Sequence, residues 1–106
     1  MKVVWTTEAR ERLRDIQQYI AQENPNASRK LILRLGKRAQ KLGALPSVGR
    51  CVPEYPAGPY REVLERPYRL IYIVDEPQNH VYILSVMHYR QRLPKQPKWG
   101  THKGFG

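Results

Sequence analysis

Five polar side chains in the second half of the chain have the types that metal-free cleavage of an RNA phosphodiester requires. The reaction needs a base for the 2′-hydroxyl proton, an acid for the leaving 5′-oxygen, and cations that stabilise the phosphorane. Glu54, in a turn between two prolines, is the candidate base, and His88 is the candidate acid because imidazole titrates near neutral pH. Arg69 and Arg61 could each bind phosphate oxygens with a forked guanidinium, and Tyr89 could stack on a nucleobase. The sequence therefore contains candidates for every role in this reaction.

The same side chains also have purely structural interpretations. A glutamate in a proline-flanked turn, such as Glu54, commonly faces water. Arg69 could pair with Glu62 or Glu65 on the neighbouring strand, since opposite charges across a sheet are mildly stabilising. His88, at the end of an apolar strand, could be a hydrogen-bonded packing residue. Both interpretations remain open from the sequence.

The charge of the chain is strongly positive. Nineteen Lys and Arg against nine Asp and Glu give a formal charge of +10 and a pI of about 10.1. Such a field attracts polyanions and acidic protein surfaces, so nucleic acid, the ribosome or an acidic partner is expected. The basic side chains expected to bind them are Arg29, Lys30, Arg34, Lys37, Arg38, Lys41, Arg50, Arg90 and Arg92. A solvated helix face is the alternative for those in the second helix.

The N-terminal half predicts a short strand followed by two helices. Residues 3–5 are apolar and predict the strand, and a threonine after them is a favourable N-cap. Asn24 and Pro25 begin a second helix, and Gly43 is expected to end it in a left-handed conformation. The apolar stripes of the two helices consist of Ala9, Leu13, Ile16 and Ile20, and of Leu31, Leu35, Ala39 and Leu42.

The C-terminal half predicts a loop and then three strands. The loop is 43–59, and the strands are 60–64, 68–74 and 81–87, the last two joined as a hairpin. The order β-α-α-β-β-β predicts an α+β fold in which a helical hairpin packs on one face of an antiparallel sheet. A chain of 106 residues has room for one domain with one core.

The end of the chain differs in composition from the rest. Residues 95–106 are basic, rich in Pro and Gly, and without periodicity, so we expect a flexible tail after a domain of residues 1–94. Trp99 is expected to cap the core.

The remaining chemistry of the chain is sparse. Cys51 is the sole cysteine, so no intrachain disulfide is possible, and the three histidines have no metal-ligand spacing. No metal and no cofactor are expected. No signal peptide or membrane span is recognisable, so a cytoplasmic location is predicted.

The chain resembles the RelE/ParE superfamily of toxins from type II toxin–antitoxin pairs over residues 1–94. The resemblance rests on the order and spacing of several short motifs rather than on any one of them. These motifs are Val4-Trp5-Thr6, Tyr19-Ile20-Ala21, Asn24-Pro25, Leu45-Pro46, Gly49-Arg50, Pro53-Glu54, Tyr60-Arg61-Glu62, the run 68–72 and Val86-Met87-His88-Tyr89.

This resemblance implies one of two mechanisms. RelE-like members cut messenger RNA on the ribosome, whereas ParE-like members share the fold, poison DNA gyrase and are not nucleases. The positions that match the catalytic set of the YoeB-like nucleases in the superfamily are Glu54, Arg69, His88 and Tyr89. These favour an endoribonuclease acting with the ribosome and mRNA, with gyrase inhibition as the alternative, since several of the motifs are also common in ParE-like chains. Either activity implies a cognate, acidic antitoxin as partner. A plain nucleic-acid-binding module would explain the charge but not the ordered polar set.

Overall fold

The fold consists of two helices and five strands within residues 1–99, the part of the chain that this computed structural model describes. The elements in chain order are β1 (Lys2–Trp5), α1 (Thr7–Ala21), α2 (Pro25–Lys41), β2 (Arg50–Cys51), β3 (Arg61–Glu65), β4 (Tyr68–Asp75) and β5 (His80–His88). The α+β class is therefore confirmed, and the predicted helices and strands are present in their predicted order. The two-residue strand β2 was not predicted, because it lies in a proline-rich loop and is too short to show periodicity.

Both helices begin at the predicted caps. The hydroxyl of Thr6 accepts from the backbone N–H of Ala9 at 3.2 Å and donates to the carbonyl of Ile83 at 2.8 Å, so it joins the start of α1 to β5. Asn24 accepts from the backbone N–H of Ala27 at 3.0 Å, and proline occupies the first turn of α2. Each cap satisfies an N–H that has no partner within the helix.

The sheet is mixed rather than antiparallel. Its strand order is β1-β5-β4-β3-β2, and every neighbouring pair is antiparallel except β1 and β5, which are parallel. The predicted all-antiparallel sheet is wrong for this pair. Short turns determine the pairing of β3, β4 and β5, whereas β1 is separated from β5 by the whole helical hairpin. Its direction therefore depends on where that hairpin returns the chain.

The sheet has a hydrophobic core on each face, instead of the single core that was expected. The helices cover one face, where Ala9, Leu35 and Leu42 pack against β4 and β5 residues such as Leu70. We call this the helix side. The loop between β2 and β3 and the C-terminal segment cover the second face, where the buried residues are Val52, Tyr55, Tyr60, Ile71, Ile73, Leu84 and Met87. Burial on both faces explains why β4 is almost entirely apolar.

The C-terminal segment 91–99 contributes to the second core. The Tyr55 hydroxyl donates to the carbonyl of Pro94 at 2.5 Å, and the Trp99 ring packs 5.4 Å from that of Tyr60. Lys98 forms an ion pair with Glu8, at the start of α1, at 3.1 Å. Trp99 therefore packs on the core as expected, while residues 100–106 of the predicted flexible tail lie outside the described residues.

Gly43 does not adopt the left-handed conformation that was predicted for it. The α2 cap, Leu42, keeps right-handed helical angles, and the chain continues in turns. Gly43 instead lies against the N-terminus, where its carbonyl accepts from the Met1 ammonium at 2.8 Å. A Cβ at this position would lie 2.5 Å from the Met1 carbonyl oxygen. A close approach of backbone, rather than a turn, therefore accounts for the glycine.

Gly49 lies at a similarly tight position, and we expect Gly49→Ala to destabilise the protein by about 1–3 kcal/mol. A Cβ there would lie 2.5 Å from the Tyr72 hydroxyl and 2.6 Å from the Glu62 carbonyl oxygen. That hydroxyl accepts from the Gly49 N–H at 2.9 Å and donates to the Pro46 carbonyl at 2.7 Å, so it cannot move without breaking both hydrogen bonds. Urea denaturation measures the change in the free energy of unfolding.

The matched control for this prediction is Gly36→Ala. Gly36 is an exposed residue of α2, and a Cβ added to it would have no neighbouring atom within 4 Å outside its own helical turn. Alanine is the better helix former by about 0.5–1 kcal/mol, so this variant should be more stable than the wild type. Equal effects of the two substitutions would contradict the assignment of Gly49 to a close contact.

Candidate functional site

Arg69 lies at the centre of the site and is only 4% exposed. It is the second residue of β4, and its guanidinium faces the second side of the sheet. Nη1 donates to Glu54 Oε1 at 3.0 Å and to Glu62 Oε1 at 2.8 Å. Nη2 donates to Glu54 Oε2 at 2.5 Å and to the carbonyl of Gln91 at 2.8 Å. Four of its five N–H groups are therefore used within the protein, and the Nε N–H is buried without a partner.

Glu54 is held by the same contacts. Besides the two hydrogen bonds from Arg69, its Oε2 accepts from the backbone N–H of Leu93 at 3.0 Å. The hydrogen bond from Arg69 is the main cause that lowers the pKa of Glu54 from 4.5 to about 2, and burial opposes it only in part. Glu54 is thus a fully ionised carboxylate at neutral pH with little affinity for a proton.

Glu62 joins Arg69 to a second arginine. It is 1% exposed, and its Oε2 accepts from Nε of Arg50 at 2.7 Å and forms an ion pair with Nη2 of the same arginine at 2.7 Å. We refer to Arg50, Glu54, Glu62 and Arg69 as the Arg69 network. Its two carboxylates and two guanidinium groups balance in charge, which is the condition under which ions can be buried at tolerable cost. The pairing of Arg69 with Glu62 confirms the structural alternative from the sequence, while Glu65 instead pairs with Arg34 at 3.3 Å.

A cavity of about 320 Å³ opens beside this network. We call it the first cavity. Three of the basic residues predicted to bind a partner contribute to its walls, together with apolar side chains. It is lined by Arg50, Pro53, Glu54, Glu62, Leu64, Arg69, Tyr89, Arg90 and Arg92. The structure therefore brings Glu54, Arg69 and Tyr89 of the predicted set together.

Arg61 and His88 occupy sheet positions on the helix side. Arg61 is the sheet partner of Tyr72, a residue of the helix-side core, and its Nη1 donates to the Gly49 carbonyl at 2.7 Å. His88 is the partner of Tyr68, which packs against the same core, and the two rings lie 5.8 Å apart. Directly paired residues share a face of the sheet. Neither side chain lines the first cavity.

Tyr89 lies at the end of β5 with 42% of its surface exposed. Its ring stacks on that of His88 with 4.9 Å between the centroids, and its hydroxyl accepts from Nε of Arg90 at 3.0 Å. Nδ1 of His88 accepts from the backbone N–H of Arg90 at 3.1 Å. These contacts hold the 88–90 turn at the mouth of the first cavity and use Nδ1 of the imidazole as an acceptor.

The chain is similar in sequence to known proteins over most of its length. The family model for the ParE toxin of type II toxin–antitoxin systems (parDE) matches residues 3–93. The chain belongs to the ParE toxin family. A protein of Sinorhizobium fredii named as a toxin, Y4kP, is 32% identical over 95 residues, which cover 89% of this chain and 94% of that protein.

Two solved structures have the same fold as this ParE-family chain. One, described as the chromosomal ParDE system of P. aeruginosa, has a TM-score of 0.70 and 22% identity, covering 83% of this chain and 95% of its own. The other is the toxin–antitoxin complex RelBE2 of Mycobacterium tuberculosis, with a TM-score of 0.62 and 25% identity, covering 82% and 95%. The predicted superfamily is thus confirmed.

The predicted basic residues of this ParE-family chain fall in two places. Those of α2 are exposed except Arg38, which is half-buried and has an Nε without a hydrogen-bond partner. Arg34 pairs with Glu65, and Arg29 donates to the side chain of Asn26. The remaining predicted basic residues of α2 are Lys30, Lys37 and Lys41. Arg50, Arg90 and Arg92 lie at the first cavity instead.

Two absences hold for residues 1–99. No helix there is long and apolar enough to cross a bilayer. The same residues contain no cluster of three side chains that could ligate a metal ion.

The sequence did not indicate that Glu54 and Glu62 share one arginine. Glu62 could be inferred as a partner because β3 and β4 are joined by a tight turn. Glu54 reaches Arg69 only because the loop after β2 folds back over the second face, and the main-chain ligands at Gln91 and Leu93 come from a segment that had been assigned no structural role.

Proposed function

We propose that this protein is a non-catalytic toxin of the ParE-like kind, which inhibits DNA gyrase by binding to it. The observation that supports this most directly is the Arg69 network. Glu54 and Arg69, at two positions that match the nuclease set, are the most heavily hydrogen-bonded polar side chains of the site. Their contacts stabilise the protein and leave little capacity for a substrate.

Catalysis of RNA cleavage would make three demands that this geometry meets poorly. A general base should have a pKa near the working pH, whereas that of Glu54 is lowered to about 2. A phosphate-binding guanidinium needs free N–H groups, whereas those on both Nη atoms of Arg69 are used. The acid and the base must reach one phosphate, whereas His88 lies on the helix side of the sheet.

In this proposal the positive charge of the protein serves binding and not catalysis. Arg90 and Arg92 lie at the first cavity and the basic residues of α2 are exposed, so the protein presents a binding surface for acidic groups. Complementary charge increases the rate of encounter and the specificity of a protein complex. We infer that the protein acts in the cytoplasm, where gyrase and DNA are found.

A cognate antitoxin is the second partner that we propose. The two solved relatives are described as toxin–antitoxin systems or complexes. For a chain with a charge of +10, the expected partner is a small protein with an acidic segment that folds on binding. The gene next to this one is expected to encode it, and co-expression should abolish growth inhibition.

The experiment is to measure supercoiling by purified gyrase, with and without the purified protein, and to map RNA ends in cells that express it. We expect supercoiling to be inhibited and transcripts to stay intact. His88→Gln should change the growth inhibition by less than about twofold, because the ring does not line the first cavity and substitutions of partly exposed polar side chains usually have small effects.

RNA ends inside translated codons that depend on ribosomes, and that disappear in His88→Gln, would instead establish the endoribonuclease. Since His88 is only half-buried, the variant should fold, and its circular dichroism and thermal unfolding confirm this before the assay.

A further inference from the structure

The outer edge of β3 is only partly covered. Strand β2 pairs with Arg61 and Glu62 and with no later residue of β3. The last three residues of β3, Val63–Glu65, therefore have no strand neighbour on this side among residues 1–99. Open sheet edges are where extended peptides of other proteins pair.

The free backbone groups of this edge belong to Leu64. The Val52 N–H donates to the Tyr60 carbonyl at 3.0 Å, so Tyr60 directs its N–H and C=O towards β2. Backbone direction alternates along a strand, which places the same groups of Glu62 and Leu64 on this side. Glu62 is paired with Arg50 of β2, whereas Leu64, 36% exposed, has no pairing partner there within residues 1–99.

A cavity lies on each side of the sheet next to this free position. The first cavity lies on the second face, and another of about 240 Å³ lies towards α2; Arg50, Glu62 and Leu64 line both. We call the latter the second cavity. It also contains Arg38, whose half-buried guanidinium has an Nε without a hydrogen-bond partner. Five arginines and two glutamates line the two cavities together, a net charge of +3.

We propose that the edge at Leu64 binds an extended, acidic peptide segment of a protein partner as an additional strand. The peptide exchanges backbone hydrogen bonds with Leu64. Successive side chains of a strand point to opposite faces. One acidic side chain therefore enters the first cavity near Arg50 and Arg92, and the adjacent one enters the second cavity near Arg38.

The backbone of Leu64 distinguishes a peptide from a nucleic acid. It offers one donor and one acceptor side by side, which a peptide residue matches with its own acceptor and donor. A phosphodiester backbone offers acceptors, so it would leave the Leu64 carbonyl unpaired. The two cavities, each with arginine, also match the alternation of side chains in a strand. This inference goes beyond the proposed action on gyrase and does not depend on it.

The test uses the full chain, labelled with ¹⁵N, and a six-residue peptide blocked at both ends. The peptide has two adjacent glutamates at its centre and β-branched residues on both sides. We expect the Leu64 amide signal to shift on titration, and its exchange with deuterium to slow by at least about tenfold at saturation. Val63 and Glu65, whose backbone groups face β4, should show much smaller protection.

Substitutions of single arginines test which of them bind the peptide. Arg38→Gln and Arg92→Gln should each weaken binding of the peptide by at least about tenfold, the loss expected for one charge-assisted hydrogen bond. The matched control is Arg12→Gln, since Arg12 is an exposed residue of α1 and lines neither cavity. Its affinity should equal that of the wild type, and the spectra of all variants show directly that they are folded.

Three results would overturn the proposal. The Leu64 amide could remain unprotected while signals elsewhere shift or none shift, the peptide could bind equally well after N-methylation of its central amide, or a single-stranded oligonucleotide could protect Leu64 as strongly as the peptide does. None of these readouts involves gyrase, so they are independent of the test of the proposed function.

Discussion

Replacement of Arg69 by methionine is expected to lower the free energy of unfolding by about 3–5 kcal/mol, the loss typical of a buried ion pair that loses one partner. The substitution keeps most of the side-chain volume but leaves the carboxylates of Glu54 and Glu62 buried without their shared cation. Single domains are commonly stable by about 5–15 kcal/mol, so much of the protein should unfold at moderate temperature. Equilibrium urea denaturation measures the change.

The control for this prediction neutralises the two carboxylates as well. The triple variant Arg69→Met, Glu54→Gln, Glu62→Gln has no buried charge left in the network, because Arg50, which loses its partner Glu62, has a 64% exposed side chain. We expect the triple variant to regain about half of the loss. If the triple variant were as unstable as Arg69→Met, the cost would come from packing rather than from unpaired charge, and the Arg69 network would not have the role described.

The second expected result is a loss of stability in acid that depends on Glu54. Its pKa is about 2 in the folded protein and 4.5 in the reference state, so the unfolded chain takes up the proton first as the pH falls. The contribution of Glu54 is therefore fully present above pH 4.5 and decreases towards pH 2. Between pH 6 and pH 2.5 the loss should be about 2 kcal/mol, allowing for screening of a side chain that is not fully buried.

Urea denaturation of the wild type and of Glu54→Gln at the two pH values tests this. The variant should be less stable at pH 6 and should show a pH dependence smaller by about the same 2 kcal/mol, because it has no proton to gain at this position. Glu23→Gln, an exposed residue beyond the end of α1, serves as the matched control and should follow the wild type. Identical pH dependences of wild type and Glu54→Gln would show that Glu54 has an ordinary pKa.

Local chemistry explains why the helices could be predicted and the sheet only in part. The helix starts depend on Thr6, Asn24 and Pro25, which contact residues no more than one helical turn away. A few neighbouring residues are therefore enough to predict them. The parallel pairing of β1 with β5 joins residues almost eighty positions apart, such as Val3 and Val81. No periodicity within either strand contains that information.

The candidate site, too, could be predicted where contacts are local and not where they depend on strand register. The pairing of Arg69 with Glu62 follows from a tight turn between two strands and was available as an alternative. The position of His88 depended on the register of β4 and β5, which pairs it with Tyr68 and Met87 with Arg69. A shift by one residue would have placed the imidazole on the face of Glu54. The polar residues were therefore recognisable by type and order, whereas their convergence required the register.

The position of the C-terminal segment in the fold affects how the protein folds during its synthesis. Leu93 and Trp99 cover the second core, and the main chain at 91–93 supplies ligands to the Arg69 network. These residues are the last of the described chain to be synthesised. While they are still inside the ribosome, Ile71, Ile73 and Leu84 remain open to water and Glu54 lacks part of its hydrogen bonding. The domain therefore closes only after residues 91–99 have left the ribosome, and a chain that ended before them would carry an apolar face for proteases and chaperones to recognise.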